Sequence, residues 1–275
     1  MSERPGLRFG RVADEYERVR PTYPAALVDK ACSLADLRSG DTVVEIGCGT
    51  GKLTRALTER RLRVEAVEPD AELIDVARRI VPATAVRFHN TTFEDAEVPG
   101  AKRAVFAATS FHWIDPAVGW RKVAGLLAPG GIFALLSHTY GPRDELDREL
   151  IRIWQDVVPE SAERWKPRDE KTLWAGVESR RGNVSELWSW LTYHDLARPE
   201  AAELFTDVEV AREPFEDEVS TVDYLARLRT SNNYLHLSPE NQQRLDEGLT
   251  AVLDAHGGTY RNRTDAVLVT ARLAG

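Results

Sequence analysis

The sequence predicts an α/β protein: a mainly parallel sheet with helices on both faces, and a helical segment inserted after the fifth strand. Three observations carry this. Short β-rich runs alternate with helical patterns through the first half of the chain, the spacing of successive β–α units. A tight cluster of glycines follows the first run. The alternation then stops, and residues 141–200 become helical in pattern and hold five of the seven tryptophans: Trp154, Trp165, Trp174, Trp188 and Trp190.

Thr42-Val43-Val44-Glu45-Ile46 is apolar and β-branched enough for a buried strand. A helix is expected over Lys52 to Arg61, a second strand over Arg63 to Val67, and a helix over Ala71 to Ile80. Val86 to His89 and Ala104 to Ala108 supply the third and fourth strands. Asp115-Pro116 opens the next helix, Asp as its cap and Pro in its first turn. Pro129-Gly130-Gly131 stops it, and Ile132 to Ser137 forms the fifth strand. Strand character returns over Val208 to Phe215 and again over Ala266 to Arg272. Between them lie helical patterns at Val222 to Arg229 and Pro239 to His256, the second capped by Ser238 and ended by Gly257-Gly258. The expected division is a core of residues 1–140 and 201–275 with a helical cap of residues 141–200.

Bulk properties narrow the function. A length of 275 residues suits one large domain or a core with an insertion. No apolar run approaches the ~18 residues of a membrane span, and Met1 to Phe9 lacks the apolar centre of a secretory signal. Cys32 and Cys48 are read as free thiols in a reducing compartment, so the expected location is cytoplasmic, with no membrane partner. The net charge of −8 and the absence of a dense basic block argue against a nucleic-acid partner. Arg4, Arg8, Arg11, Arg18 and Arg20 cluster, but acids interleave them, as on a solvated helical face. No His, Cys and Asp group has metal-ligand spacing, so no metal is expected.

The most informative stretch is Glu45-Ile46-Gly47-Cys48-Gly49-Thr50-Gly51-Lys52, a buried strand running into a glycine turn and a helix. Glycines there permit positive φ and let a ligand approach the backbone, at the strand end where open α/β sheets bind ligands. A dinucleotide fingerprint requires a third glycine where Lys52 stands. A phosphate loop requires four residues before Gly-Lys and then a hydroxyl, but three separate Gly47 from Gly51 and Leu53 follows Lys52. Both patterns fail on residue identity. The segment resembles instead the first motif of class I methyltransferases, which bind S-adenosylmethionine, a cofactor with no phosphate to cradle. By that resemblance Gly47, Cys48, Gly49, Thr50 and Gly51 pack under the methionine part and ribose, and Glu45 orients the amino end. Glu68, in Val67-Glu68-Pro69-Asp70 after the second strand, is placed to accept both ribose hydroxyl protons, with Asp70 as the alternative acid. Thr92-Phe93-Glu94 after the third strand corresponds to the family's adenine-covering loop, and Thr109 is counted among the cofactor contacts.

More of the chain is similar to the type 11 group of these methyltransferases, near its trans-aconitate methyltransferase-like branch. The similarity rests on Phe9-Gly10-Arg11-Val12-Ala13-Asp14-Glu15-Tyr16 with Arg20-Pro21-Thr22-Tyr23-Pro24, on Ser110-Phe111-His112-Trp113-Ile114-Asp115-Pro116, and on Leu126-Leu127-Ala128-Pro129-Gly130-Gly131. Leu228-Arg229-Thr230-Ser231 and Gly257-Gly258-Thr259-Tyr260 extend it. It covers roughly residues 9–140 and 205–273, and Arg103 departs from the family's usual Asp. It implies a Rossmann-like sheet of seven strands, the last antiparallel, and an N-terminal helix closing over the cofactor.

Methyl transfer from a sulfonium is an in-line displacement in which the protein aligns and desolvates, so no catalytic triad is required. A base is needed only when the acceptor loses a proton. His112 is the candidate base or orienting group, though it reads more readily as half of a structural pair with Trp113. Tyr16 and Tyr23 can each face the sulfonium, an attraction of ~0.5–2 kcal/mol. Arg20 serves either the cofactor carboxylate or an acidic acceptor. Tyr23, His112, Trp113 and His138 are the acceptor-side candidates. The expected acceptor is a small organic molecule, and the expected assembly a monomer or homodimer.

Overall fold

A computed structural model describes residues 5–139, 144–159 and 168–275 of the chain; Arg4 and Trp165 of the preceding reading lie outside them. Seven strands form one sheet in the order β3-β2-β1-β4-β5-β7-β6. They are β1 (Thr42–Ile46), β2 (Arg63–Val67), β3 (Val86–His89), β4 (Lys102–Ala108), β5 (Leu127–His138), β6 (Phe205–Ser220) and β7 (Thr259–Leu273). The first five pair in parallel, and β7 runs antiparallel to both β5 and β6. The seven-stranded sheet with an antiparallel last strand is therefore as expected. β6 and β7 extend well past the predicted runs, because each supplies the other's hydrogen bonds from Phe205↔Leu273 to Ser220↔Thr259. At Arg103 the β4–β5 register shifts, and the guanidinium turns away to Asp36 and the Ala35 carbonyl.

The helices are α1 (Ala13–Val19), α2 (Ala25–Leu34), α3 (Lys52–Glu59), α4 (Ala71–Ile80), α5 (Pro116–Leu126), α6 (Glu145–Val157), α7 (Glu170–Glu178), α8 (Val184–Thr192), α9 (Ala201–Leu204), α10 (Thr221–Arg229), α11 (Asn232–Leu235) and α12 (Pro239–Ala255). A 3-10 turn over Pro5–Val12 leads into α1. Side chains alternate across the sheet with period two. Val43, Val64, Ala66, Ala104, Phe106, Ala134 and Leu268 meet α2 and α3 on one face. Val44, Ile46, Val105, Ala107, Phe133, Leu135 and Val269 meet the other. Asp115 caps α5 as expected: its carboxylate accepts from the Ala117 amide, with Pro116 in the first turn.

The described residues of the segment 141–200 fall into two separate clusters. α7, α8 and α9 lie on the sheet beside α5, with Leu173, Val177, Leu187 and Trp188 in the same cluster as Trp120 and Phe133. α6 joins a separate cluster in which Leu150, Ile153 and Trp154 meet Leu225, Tyr234, Leu245 and Leu249 of α10, α11 and α12. The cause is the antiparallel extension of β6 and β7, whose apolar side chains need a helical layer that α5 alone is too short to give. Trp188 is wholly buried there, and a large apolar side chain so placed contributes about 1.5–3 kcal/mol. Of the described cap tryptophans, Trp188 is core, and Trp154, Trp174 and Trp190 are half-buried against the helical layers.

Candidate active site

The chain leaves β1 toward β2 on one side and continues from β4 toward β5 on the other, so the order reverses between β1 and β4. Open α/β sheets carry their ligand crevice outside the strand ends at such a point. The glycine turn lies there. Gly47, Gly49 and Gly51 have φ of +65°, +54° and +87°, a region costly for residues with a Cβ. Their surroundings differ. A Cβ on Gly47 would sit 2.5 Å from that of Ser110, whose hydroxyl donates to the Ile46 carbonyl. A Cβ on Gly51 would press on Ala77 at 3.1 Å. A Cβ on Gly49 would meet nothing within 4 Å. The turn is packed from behind at both ends and open at its middle.

Glu68 faces this opening from the end of β2. It is buried, and its two carboxylate oxygens accept from the Gly49 amide at 2.9 Å and the Asp70 amide at 3.0 Å. Burial pushes its pKa up to about 7 despite those donors. Asp70, the alternative acid, is spent: it caps α4 and accepts the Gly10 amide at 3.0 Å. The carbonyls of Glu68 and Pro69 are held by Asn90. Glu45 lies beneath the turn, its carboxylate accepting from Thr54 of α3 at 2.7 Å, and burial raises its pKa to about 8. Glu45 therefore braces the loop against α3. Cys48 is buried and its thiol is driven well above its ordinary range.

The N-terminal helix crosses the turn. Glu17 accepts from the Thr50 hydroxyl at 2.6 Å, and Lys52 donates to the Glu17 carbonyl at 2.6 Å. Lys52, where a dinucleotide site has glycine, is thus tied to α1. No sequence signal marks Glu17, which is one acid among several on that helix. Tyr16 has the Arg20 guanidinium 5.4 Å from its ring centre and Phe9 at its edge. Arg20 donates to the Thr230 hydroxyl at 2.9 Å.

The loop after β3 departs from expectation. Phe93 is 1% exposed and packs in the core, with the Lys122 ammonium over its ring. The Thr92 hydroxyl bonds Asp95, and Glu94 accepts from the Asp115 amide. Phe93 and Glu94 fasten the loop to α5 while Thr92 closes it on Asp95, and Phe93 is drawn into the core beside α5 and offers no face to an adenine ring.

On the other flank, Thr109 holds φ +51° at the end of β4, unusual for a residue with a β-branch, and its hydroxyl meets the Tyr23 hydroxyl at 2.6 Å. Tyr23 stacks on His138, ring centres 5.2 Å apart. His112 stacks instead on His194, at 4.3 Å, from the chain beyond α8, with Trp113 beside it and Phe9 against Trp113. The Nδ1 of His112 is buried without a partner, and burial lowers its pKa to about 3. Apart from Tyr16 and Arg20 on the N-terminal segment and the Thr92–Glu94 loop, the sequence candidates fall into three groups: Glu45 to Gly51 with Glu68 and Pro69 at the crevice, Tyr23, Thr109 and His138 together beside it, and His112 with Trp113 toward α8. Two surface clefts, of 330 and 710 Å³, lie away from all three groups, one lined by Leu34, Glu209 and Arg272, the other by Arg87, Glu97 and Lys122. Among the described residues no His, Cys, Asp or Glu cluster is arranged to hold a metal.

Strand order and glycine crevice together define a class I methyltransferase fold. Residues 43–131 match the family described as methyltransferase domain. An uncharacterized methyltransferase of Mycobacterium tuberculosis is 40% identical over 147 residues, covering 54% of this chain and 58% of that protein. A trans-aconitate 2-methyltransferase of Rhodopseudomonas palustris is 28% identical over 58% of this chain and 64% of its own. The chain thus spans less than two thirds of the length of these curated relatives. A candidate type II methyltransferase from Anaeromyxobacter dehalogenans has the same fold, with TM-score 0.60 and 22% identity, over 92% of this chain and 97% of that one. Residues 43–131 are thus similar to a methyltransferase domain, and the chain has the fold of class I methyltransferases. Its residues fit S-adenosylmethionine: an open middle glycine, an inward carboxylate for a diol, and no free cation at the turn for a phosphate.

Proposed function

We propose that the protein transfers a methyl group from S-adenosylmethionine to a small organic molecule at oxygen, nitrogen or carbon. The observation that carries this is Glu68, turned into the crevice and bonded to the amide of Gly49, the one glycine of the turn with free space before it. The cofactor, when bound, supplies the activated methyl. Glu68 holds its ribose, the Gly47 to Gly51 backbone lies under it, and α1 roofs it through Glu17. Tyr23, Thr109 and His138 face the acceptor from the neighbouring strand ends, so that desolvation and alignment fall to this wall. His112, with its ring stacked on His194, serves as a packing and orienting group at the far side.

The acidic charge favours a small acceptor over nucleic acid, and a cytoplasmic setting agrees with two free thiols. No helix among the described residues is long and apolar enough to cross a membrane. A monomer or homodimer suffices for every group named. Calorimetry with S-adenosylmethionine and S-adenosylhomocysteine tests the reading. Both should bind, and Gly49→Arg should abolish binding by filling the open middle of the turn; absence of binding to the parent protein overturns it. A second reading is a protein of this fold that binds the cofactor without methylating. The unpaired nitrogen of His138, a group suited to proton transfer, gives it a footing. Demethylated cofactor in mass spectra after incubation with acceptors distinguishes the two.

A further inference from the structure

His138 ends β5, and its side chain is 6% exposed. Its ring is held on every side. Tyr23 stacks on one face, and Phe215 of β6 meets it at 5.6 Å, edge to face. The backbone of Thr22 acts on the ring in the sense of an acceptor, favouring its protonated form. The Nε2 atom is buried and has no partner. Those two facts fix the tautomer. The nitrogen facing a carbonyl must carry the hydrogen, so in the neutral ring the other, Nε2, is a bare lone pair. Burial keeps the ring neutral, lowering its pKa to about 4. A buried acceptor left unpaired is destabilising, and Tyr23 nonetheless holds the ring in this pose.

The charges around the ring decide what can complete it. Arg20 from the chain after α1, Asp217 from β6 and Arg227 from α10 all act on it. Arg227 is ion-paired with Asp217, which also accepts from Asn262 of β7 at 2.8 Å. The surroundings therefore carry an excess of one positive charge, from Arg20. An ammonium is repelled by that excess. A carboxylate would point a lone pair at a lone pair. A hydroxyl donates its hydrogen to Nε2 and, as it loses the proton, gains negative charge that Arg20 favours.

Resting on the methyl-transfer reading, we propose that the acceptor is a hydroxyl compound and that His138, rather than His112, takes its proton. In that step the hydroxyl oxygen forms its bond to the methyl carbon as the carbon–sulfur bond breaks, with the electron pair passing to sulfur. The proton passes to Nε2, and the positive charge of the sulfonium ends on the imidazolium.

The six histidines make nitrogen NMR of the labelled full chain tractable, with His138 assigned by its loss in His138→Gln. The protein is saturated with S-adenosylhomocysteine and titrated at neutral pH with phenol and, separately, with benzoate. The expected result is a bare Nε2 beside a protonated Nδ1, an Nε2 resonance that phenol shifts, and no such shift with benzoate. A proton on Nε2 before titration overturns the proposal. So does a resonance unmoved by phenol, or one that benzoate moves equally. Failure of the broader reading is separate, since it shows as absence of S-adenosylhomocysteine binding to the parent. His138→Gln should bind that compound within about twofold of the parent, which reports that the variant is folded.

Discussion

Glu68→Gln separates what this residue does for the fold from what it does for the ligand. In the fold, its carboxylate accepts from the Gly49 and Asp70 amides. A glutamine offers oxygen to one and turns its NH₂ on the other, leaving one buried donor unpaired at a cost of about 1–3 kcal/mol. The same substitution removes a buried charge. A pKa raised from 4.5 to about 7 corresponds to about 3 kcal/mol of burial cost carried by the ionised form. The two effects oppose each other at similar size, so the melting temperature should move by only a few degrees. Cofactor binding has no such offset. Two charge-assisted hydrogen bonds from a diol, at about 1.5–3 kcal/mol each, are lost or weakened, and affinity should fall at least 100-fold. The parent protein should also show a pH signature. If only ionised Glu68 grips the diol, the competent fraction rises about tenfold between pH 6 and pH 8 for a pKa of about 7. Calorimetry with S-adenosylhomocysteine across that range, on parent and variant, reads both effects. A variant that binds within threefold of the parent, with the same pH dependence, refutes the assignment.

The glycine turn gives a paired prediction. Gly47→Ala combines positive φ with a Cβ driven against Ser110 and should cost about 2–4 kcal/mol by urea titration. Gly49→Ala has only the backbone term, about 1–2 kcal/mol, yet should weaken S-adenosylhomocysteine binding at least tenfold because its methyl enters the crevice. Glu45→Gln should raise stability at pH 8 and not at pH 4. An acid whose folded pKa is raised to about 8 contributes most below its unfolded value near 4.5 and loses that contribution as pH climbs through 8. Glutamine keeps the Thr54 hydrogen bond, and the expected gain at pH 8 is about 1–3 kcal/mol, read as a shift in urea midpoint. Asp70→Ala removes the α4 cap and the Gly10 anchor together, and should lower stability by about 1–2 kcal/mol on thermal melting.

The parallel half of the sheet was legible because its strands are short, apolar and separated by capped helices. The glycine turn was legible because few residue types tolerate three successive left-handed positions at alternate sites. Glu68 followed from its place after the second strand. What escaped the sequence depended on contacts between distant segments. Glu17 is one acid in an acidic helix until Thr50 and Lys52 are brought to it. Phe93 has the hydrophobicity of an adenine cover, and only the arrival of α5 shows that it is drawn into the core. Residues 141–200 carry helical signals throughout, but periodicity records which face is apolar and not which neighbour covers it. β6 and β7 read short because polar residues interrupt them, and pairing with each other overrode that weak local preference.

The chain from Glu17 to Tyr23 touches both flanks of the crevice, clasping Thr50 and Lys52 at one end and lying against Thr109 and His138 at the other. Under the methyl-transfer reading, one short stretch of backbone thereby borders both the cofactor side and the acceptor side.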